Sequence, residues 1–419
     1  MAAPPDSEYL PRFLDAALDG SLSSLPAIMI VGPRASGKTT TAGRRAASIV
    51  RFDQPRQAAA FADDPDAALG AQLEPVLLDE WQLVPEVLGA VKRSVDAAFT
   101  PRRFFVTGSV RATLENRMWP GTGRLVRVPM YPMTVREQRG AAAGSTFFDR
   151  LVAGGDLPHP ADPPDLLGYV ELALRGGFPG AALNLPPDGR ADWLAGYVDE
   201  LLQRDIPDLV GSATRPPDER RLRSYFGAYA INSAGTADHK TIYDAAHVSK
   251  VTGIAYERLL SDLFVVEQIP AWSSNRLKRL VRQPKRYLID ASLIGAVLGI
   301  DARGVIRDGN VLGRLIDTFV TSQLRPELAV STCRPRLHHL RTSQGRQEID
   351  LVVELAAQRL IGIEIKATGA PRRSDARHLM WLRDQLGDDF VAGVVFHTGP
   401  RVFGLDERIT AVPIATLWS

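Results

Sequence analysis

The sequence predicts an α/β multidomain fold led by an open parallel sheet, and three observations carry that prediction. Residues Ile28–Val31 form an apolar run leading straight into Gly32-x-x-x-x-Gly37-Lys38-Thr39. Residues 75–80, Pro-Val-Leu-Leu-Asp-Glu, form a second apolar run that ends in two carboxylates. Residues 104–109, Phe-Phe-Val-Thr-Gly-Ser, form a third that ends in small polar groups. Strands apolar on both faces belong to buried parallel sheets, and ligands of such sheets sit beyond the carboxyl ends, where all three polar ends are aimed.

The first strand and its loop read as a P-loop. Gly32 and Gly37 let the backbone curl so that the N–H groups of Pro33-Arg34-Ala35-Ser36 and their neighbours face phosphates, wherever a residue has one to offer. Lys38 reaches the β and γ oxygens, and Thr39, followed by Thr40 at the start of a helix, offers a hydroxyl to Mg²⁺. The second strand supplies Asp79 for the metal shell and Glu80 as the base that orients or deprotonates the attacking water. Thr107 and Ser109 on the third strand are candidates to sense the γ-phosphate. ATP and Mg²⁺ are therefore the expected cofactors.

After this core, Trp193 to Val210 reads as an amphipathic helix with Leu194, Tyr197, Leu201 and Leu202 near one face, suited either to the core or to a lid over the nucleotide. The Gly/Pro-rich stretches Leu157–Pro164 and Pro186–Gly189 read as linkers. Residues 241–246, then Ser249 as a helix cap, then 252–260, have the pattern of a helix-turn-helix, and residues 264–269 and 286–290 read as the strands of a wing. Between those strands, residues 275–286 carry Arg276, Lys278, Arg279, Arg282, Lys285 and Arg286 without one acid. Unbalanced cations on a hairpin predict contact with DNA phosphates, by backbone and shape, since no aromatic residues interleave them.

The last strands form a hairpin pattern. Glu348 and Asp350 share one face of the first, and Glu364 and Lys366 share one face of the second. Acid, then acid-x-lysine, is the constellation of the PD-(D/E)xK nuclease fold, in which the acids hold a divalent metal and the lysine positions water. Arg372, Arg373 and Arg377 flank the hairpin as a second basic surface.

Composition narrows the alternatives. At 419 residues the chain exceeds a single core, and 50 basic against 48 acidic side chains confine any nucleic-acid surface to a local patch. Cys333 is the one cysteine, which excludes an internal disulfide framework and fits a reducing compartment. The first residues lack a secretory pattern and no apolar run reaches membrane-spanning length, so a soluble, cytoplasmic protein is expected. Lysine is scarce, with 7 residues among the 50 cations, and two chemically singled-out positions, Lys38 and Lys366, are among the seven.

These motifs, with Gly123-Arg124 before a Val-Arg-Val-Pro segment, Gly-Gly-Phe-Pro at residues 176–179 and Gln203-Arg204-Asp205-Ile206, resemble the bacterial and archaeal ATPases that pair an AAA-type P-loop domain (AAA_14) with a DUF4143 domain. The resemblance spans nearly the whole chain. It implies a P-loop AAA-type core over 1–145, a helical lid with linkers over 146–212, a winged-helix-like domain over 213–297 and a nuclease-like α/β domain over 298–419. It also implies a homo-oligomer, such as a hexameric ring, in which Arg124 reaches a γ-phosphate either in its own subunit or in a neighbour. One departure stands out: related proteins present a glutamate where this chain has Gln323, a poorer metal ligand, so cleavage is expected to be weak or absent. The sequence reads best as an ATPase that translocates on or remodels DNA, including branched DNA. An ATP-driven switch acting on a protein partner and an ATP-dependent metal nuclease are the alternatives.

Overall fold

A computed structural model describes residues 9–20, 22–110, 123–155, 157–210, 216–272, 283–342 and 347–419. Its amino-terminal part is a five-stranded sheet in which β1 (Ala27–Val31), β2 (Ser48–Arg51), β3 (Val76–Asp79), β4 (Phe104–Gly108) and β5 (Leu125–Pro129) lie in the order β2-β3-β4-β1-β5. Every neighbouring pair is parallel. The central strands β1, β3 and β4 are buried along their whole length, as unbroken apolar runs require. Register sets Asp79 beside Thr107 and Thr107 beside Ile30, which brings the polar strand ends to one edge.

A helical middle follows. The helix Pro187–Glu200 passes into a π-helical turn, Leu201–Asp205, and then Ile206–Val210. Residues 186–189 are thus no linker: Pro186 caps the helix and Pro187 opens it, where a missing N–H costs nothing. Three helices, Glu219–Ile231, His239–Ala245 and Lys250–Asp262, lead to an antiparallel pair, β6 (Val266–Ile269) and β7 (Lys285–Leu288). Ser249 caps the third helix by accepting from the Thr252 N–H at 3.2 Å.

The carboxyl-terminal unit begins with the helix Gly309–Leu328. It continues through β8 (Arg336–Arg341), β9 (Glu348–Glu354), β10 (Leu360–Ile365), a helix Arg377–Leu386, β11 (Phe390–His397), β12 (Phe403–Asp406) and β13 (Ile409–Pro413). The sheet order is β12-β13-β11-β10-β9-β8, with β8, β9 and β10 antiparallel and β11 parallel to β10. One apolar core joins the middle to this unit, running through Phe148, Tyr169, Tyr229, Leu315, Phe319, Phe396 and Trp418. The parallel sheet has its own cores on its two faces. Among the described residues no helix is long and apolar enough to cross a membrane.

Candidate functional site

The P-loop leaves the end of β1 with its amino end pressed against Met130, the residue that follows β5. A methyl on Gly32 would lie 2.1 Å from the Met130 carbonyl oxygen, so only glycine fits there. Gly37 takes φ 97° and caps the helix Lys38–Gly43, a backbone that glycine adopts without strain. Pro33, Arg34 and Ala35 form the crown of the loop, Ser36 is fully buried and Thr40 faces solvent. Ser36 Oγ donates to the Pro33 carbonyl at 2.9 Å, and Arg12 donates to the Ser36 carbonyl at 2.8 Å and the Tyr131 carbonyl at 2.7 Å. Arg12 also pairs with buried Glu137 at 3.2 Å, so it braces the loop from outside the motif.

Lys38 Nζ is folded back onto the Gly32 and Pro33 carbonyls at 3.0 and 2.7 Å. Burial lowers its pKa to about 8 against the opposing pull of Glu80 and Asp79, which places both carboxylates near the ammonium. Thr39 Oγ1 donates to Asp79 Oδ1 at 2.8 Å, and Thr107 donates to the same oxygen. A hydroxyl and a carboxylate held together beside a phosphate-binding loop are the hard oxygen donors that Mg²⁺ takes, so Thr39 and Asp79 fit the metal of a nucleotide complex. Glu80 sits in the left-handed region at φ 56°, with its carboxylate bonded to the Gln82 amide. This left-handed turn at a non-glycine residue separates Glu80 from Asp79, whose Oδ1 stays with the Thr39 and Thr107 hydroxyls. Ser109 Oγ is buried without a hydrogen-bond partner among the described residues, an orphan donor at the same sheet edge as Thr107.

The helical middle closes on this edge. Arg34 of the P-loop forms an ion pair with Asp205, which belongs to the π-helical turn and is 6 % exposed. Pro179 of the Gly-Gly-Phe-Pro turn lies against Gly37. The turn is itself clamped, with the Met133 N–H on the Gly177 carbonyl at 2.6 Å and the Gly177 N–H on buried Asp290 at 2.9 Å. A cavity of about 350 Å³ between Gly32, Pro33, Tyr131, Phe264 and Glu267 separates the loop from β6. Arg12 and Asp290 join the site without having been singled out by any motif, and Asp205 belongs to the segment Gln203-Arg204-Asp205-Ile206 with no role at the site expected of it. That segment, and an acid in an otherwise apolar-faced helix, point to Asp205, and nothing local marks the other two.

Arg124 does not join this edge. It precedes Leu125, which pairs with Ala27 at the start of β1, so it stands at the opposite end of the sheet from Gly32. Roughly 20 Å of strand separates the two at 3.3 Å per residue. Action on its own subunit's γ-phosphate is therefore ruled out; Arg124 instead pairs with Asp96 at 2.7 Å.

Two further expectations are corrected. Lys285 and Arg286 are not DNA-facing cations: they begin β7, are 3 % and 1 % exposed, and spend their charge internally. Arg286 bonds Glu257 at 3.1 Å, the Ala237 carbonyl at 2.7 Å and His239. Arg276, Lys278, Arg279 and Arg282 lie outside the described residues. Gln323 does not stand in for an acid at the carboxyl-terminal cluster either, because its Oε1 accepts from the Val135 N–H at 2.7 Å, on the side of the nucleotide domain. The acid of the Gly309–Leu328 helix that does reach the cluster is Asp317.

In that cluster Glu364 and Lys366 pair at 2.7 Å, and Asp350 accepts from the Ile365 N–H at 2.9 Å. Glu348 is solvent-exposed and pairs with Arg341 at 3.8 Å, away from the buried acids. Burial and the Asp350 charge push Glu364 up to about 8. Arg373 is tied to Asp406, while Arg372 and Arg377 stay on the surface.

Comparison with known proteins accords with this division. Residues 24–138 match the family described as AAA domain, residues 312–417 match the domain of unknown function DUF4143, and residues 167–304 match a second domain of unknown function, DUF8612. Uncharacterized proteins of Mycobacterium bovis and Mycobacterium tuberculosis are each 30% identical to the chain over 407 residues, covering 95% of it and 82% of the relative.

Proposed function

From the premise that this chain belongs to the family joining an AAA domain to a DUF4143 domain, we propose that it is a DNA-binding ATPase that moves along or remodels DNA. The observation that carries the reading is the Thr39–Asp79 pair beneath a P-loop whose Arg34 is gripped by the helical middle. Thr39 and Asp79 would hold Mg²⁺, which when bound would supply neutralisation of the phosphate charge. Lys38 leaves the Gly32 and Pro33 carbonyls for the phosphates, Glu80 orients the attacking water and takes its proton, and Thr107 and Ser109 hold the γ-phosphate end. Phosphates arriving at the crown compete with Asp205 for Arg34, which ties nucleotide state to the π-helical turn and to the helices beyond it.

Those helices, with the β6–β7 pair, support a winged-helix reading, in which Lys250–Asp262 is the recognition helix and the hairpin tip carries Arg276, Lys278, Arg279 and Arg282. The order helix, three antiparallel strands, helix, parallel strand supports a PD-(D/E)xK-like carboxyl-terminal unit. A homo-oligomer is part of the proposal, since Arg124 serves a γ-phosphate only in a neighbour. ATP turnover measured with linear, forked and four-way DNA tests the reading: DNA should raise the rate several-fold. A second reading rests on Val251 and Ile254, 79 % and 50 % exposed on the same helix, an apolar face suited to a protein partner. Turnover indifferent to every DNA form would favour that switch-like alternative and defeat the first.

A further inference from the structure

Lys285 is the residue through which the hairpin β6–β7 enters the carboxyl-terminal cluster. Its ammonium donates to Asp317 Oδ2 at 2.7 Å, Asp350 Oδ1 at 3.1 Å and the Asp350 carbonyl at 3.3 Å, which uses all three of its N–H groups. The other oxygens are also engaged. Asp317 Oδ1 accepts from Tyr287 at 2.9 Å and Thr321 at 3.3 Å, and Asp350 Oδ2 from the Ile365 N–H at 2.9 Å. Two carboxylates and a main-chain carbonyl converging on one point is a donor set for a hard divalent cation, and here that point is occupied by the ammonium.

We propose that Lys285 is a built-in replacement for a divalent metal, closing the Asp317–Asp350 site to metal ions and fastening the middle helices to the carboxyl-terminal sheet. The residues accordingly do not fit the metal that a PD-(D/E)xK-like unit implies. Among the described residues no group of three or more His, Cys, Asp or Glu side chains is disposed to hold a metal ion. A metal would have to expel a cation that is 3 % exposed and anchored by the pairing of Lys285 with Ile269. Both cations of the cluster are already paired with its acids: Lys285 lies between Asp317 and Asp350, and Lys366 pairs with Glu364 at 2.7 Å. The inference does not depend on the DNA reading, because it concerns a cluster remote in sequence from the P-loop and is tested without nucleotide.

The test is site-localised radical cleavage by Fe²⁺ with ascorbate and peroxide, together with Mn²⁺ titration read by electron paramagnetic resonance, on the full chain. The wild type should show no backbone cleavage near residues 317, 350 and 364. Lys285→Ala should gain one equivalent of Mn²⁺ and cleavage at those positions, both abolished again when Asp350→Asn is added. Cleavage at β9 and β10 in the wild type would overturn the proposal without any variant having to fold. A folded Lys285→Ala that binds no Mn²⁺ would overturn it as well, leaving Lys285 an ordinary ion-pair partner.

Discussion

At the P-loop, two neighbouring carboxylates are set apart by backbone conformation. Asp79 ends β3 in extended geometry and collects the Thr39 and Thr107 hydroxyls, whereas Glu80, one residue on, turns left-handed and leaves that network. Glu80→Gln should therefore keep ATP binding and slow turnover about 10²- to 10⁴-fold, the usual worth of a positioned base. Lys38→Ala should abolish turnover and weaken nucleotide binding. Single-turnover hydrolysis with a parallel binding titration separates the two, and a Glu80→Gln enzyme of normal rate would refute the base assignment. Buried acids set a second residue-level expectation. Glu327 is pushed up to about 7 and Glu364 to about 8, both chiefly by burial. Below the unfolded value of 4.5 both states hold the proton and the contribution is fully present; as pH rises towards 8 the native state keeps protons the unfolded chain has released, so stability falls. These two acids should lower the melting temperature between pH 5 and pH 8, against the opposite trend that the lowered pKa values of His239, His339, His378 and His397 give up to about pH 6.5, and Glu364→Gln should remove on the order of 3 kcal/mol of the loss.

Elements that present chemistry at their ends are legible in the sequence, and elements defined by what they pack against are not. The P-loop strand, β3 and β4 announce themselves as apolar runs ending in polar residues, because a buried parallel strand has no polar face to blur the pattern. By contrast β2, Ser-Ile-Val-Arg, is short and half polar, and it forms because β3 offers it an edge. The basic stretch 275–286 has the pattern of one solvated hairpin, yet the partners of its last two cations, Asp317, Asp350 and Glu257, come from three other elements. Spacing along a chain does not show that a charge will be neutralised by a residue far away in sequence. The same reasoning sharpens the wing prediction. Changing Arg276, Lys278, Arg279 and Arg282 to glutamate should weaken DNA binding and leave basal turnover intact, with the salt dependence shallower by about 0.9 for each DNA phosphate that the variant no longer neutralises. The corresponding change at Lys285 should instead damage folding. Unaltered affinity and salt slope in the four-site variant would remove the wing from the interface. The π-helical turn makes a parallel test, since Asp205→Asn frees Arg34 and should alter the coupling between DNA and turnover more than basal turnover itself.

On the scale of the molecule, the chain is a parallel sheet bearing the nucleotide edge, set against a middle and a carboxyl-terminal unit that share one core. Links between the sheet and the rest include Arg34 to Asp205, Gly177 to Met133, Gln138 to Gly176, Arg136 to Glu327 and Val135 to Gln323, and Phe264 packs into the sheet's own core, so a nucleotide-driven movement would be passed on through these contacts. Arg124 stands at the far end of the sheet beside Asp96, away from the P-loop edge of its own subunit. In the homo-oligomer proposed above, stacking subunits so that the amino end of one sheet faces the P-loop edge of the next would bring Arg124 to a neighbour's γ-phosphate, a contribution worth about 10³- to 10⁵-fold in phosphoryl transfer. Arg124→Ala should then bind ATP normally and hydrolyse it poorly. Mixing it with Lys38→Ala, equally inactive, should restore part of the rate, because some interfaces in the mixed assembly pair an intact P-loop with an intact Arg124. The recovery should rise and fall with the mixing ratio and vanish on dilution below the assembly concentration. Two inactive variants that stay inactive at every ratio, in particles shown by light scattering to be mixed oligomers, would place the arginine outside the catalytic interface.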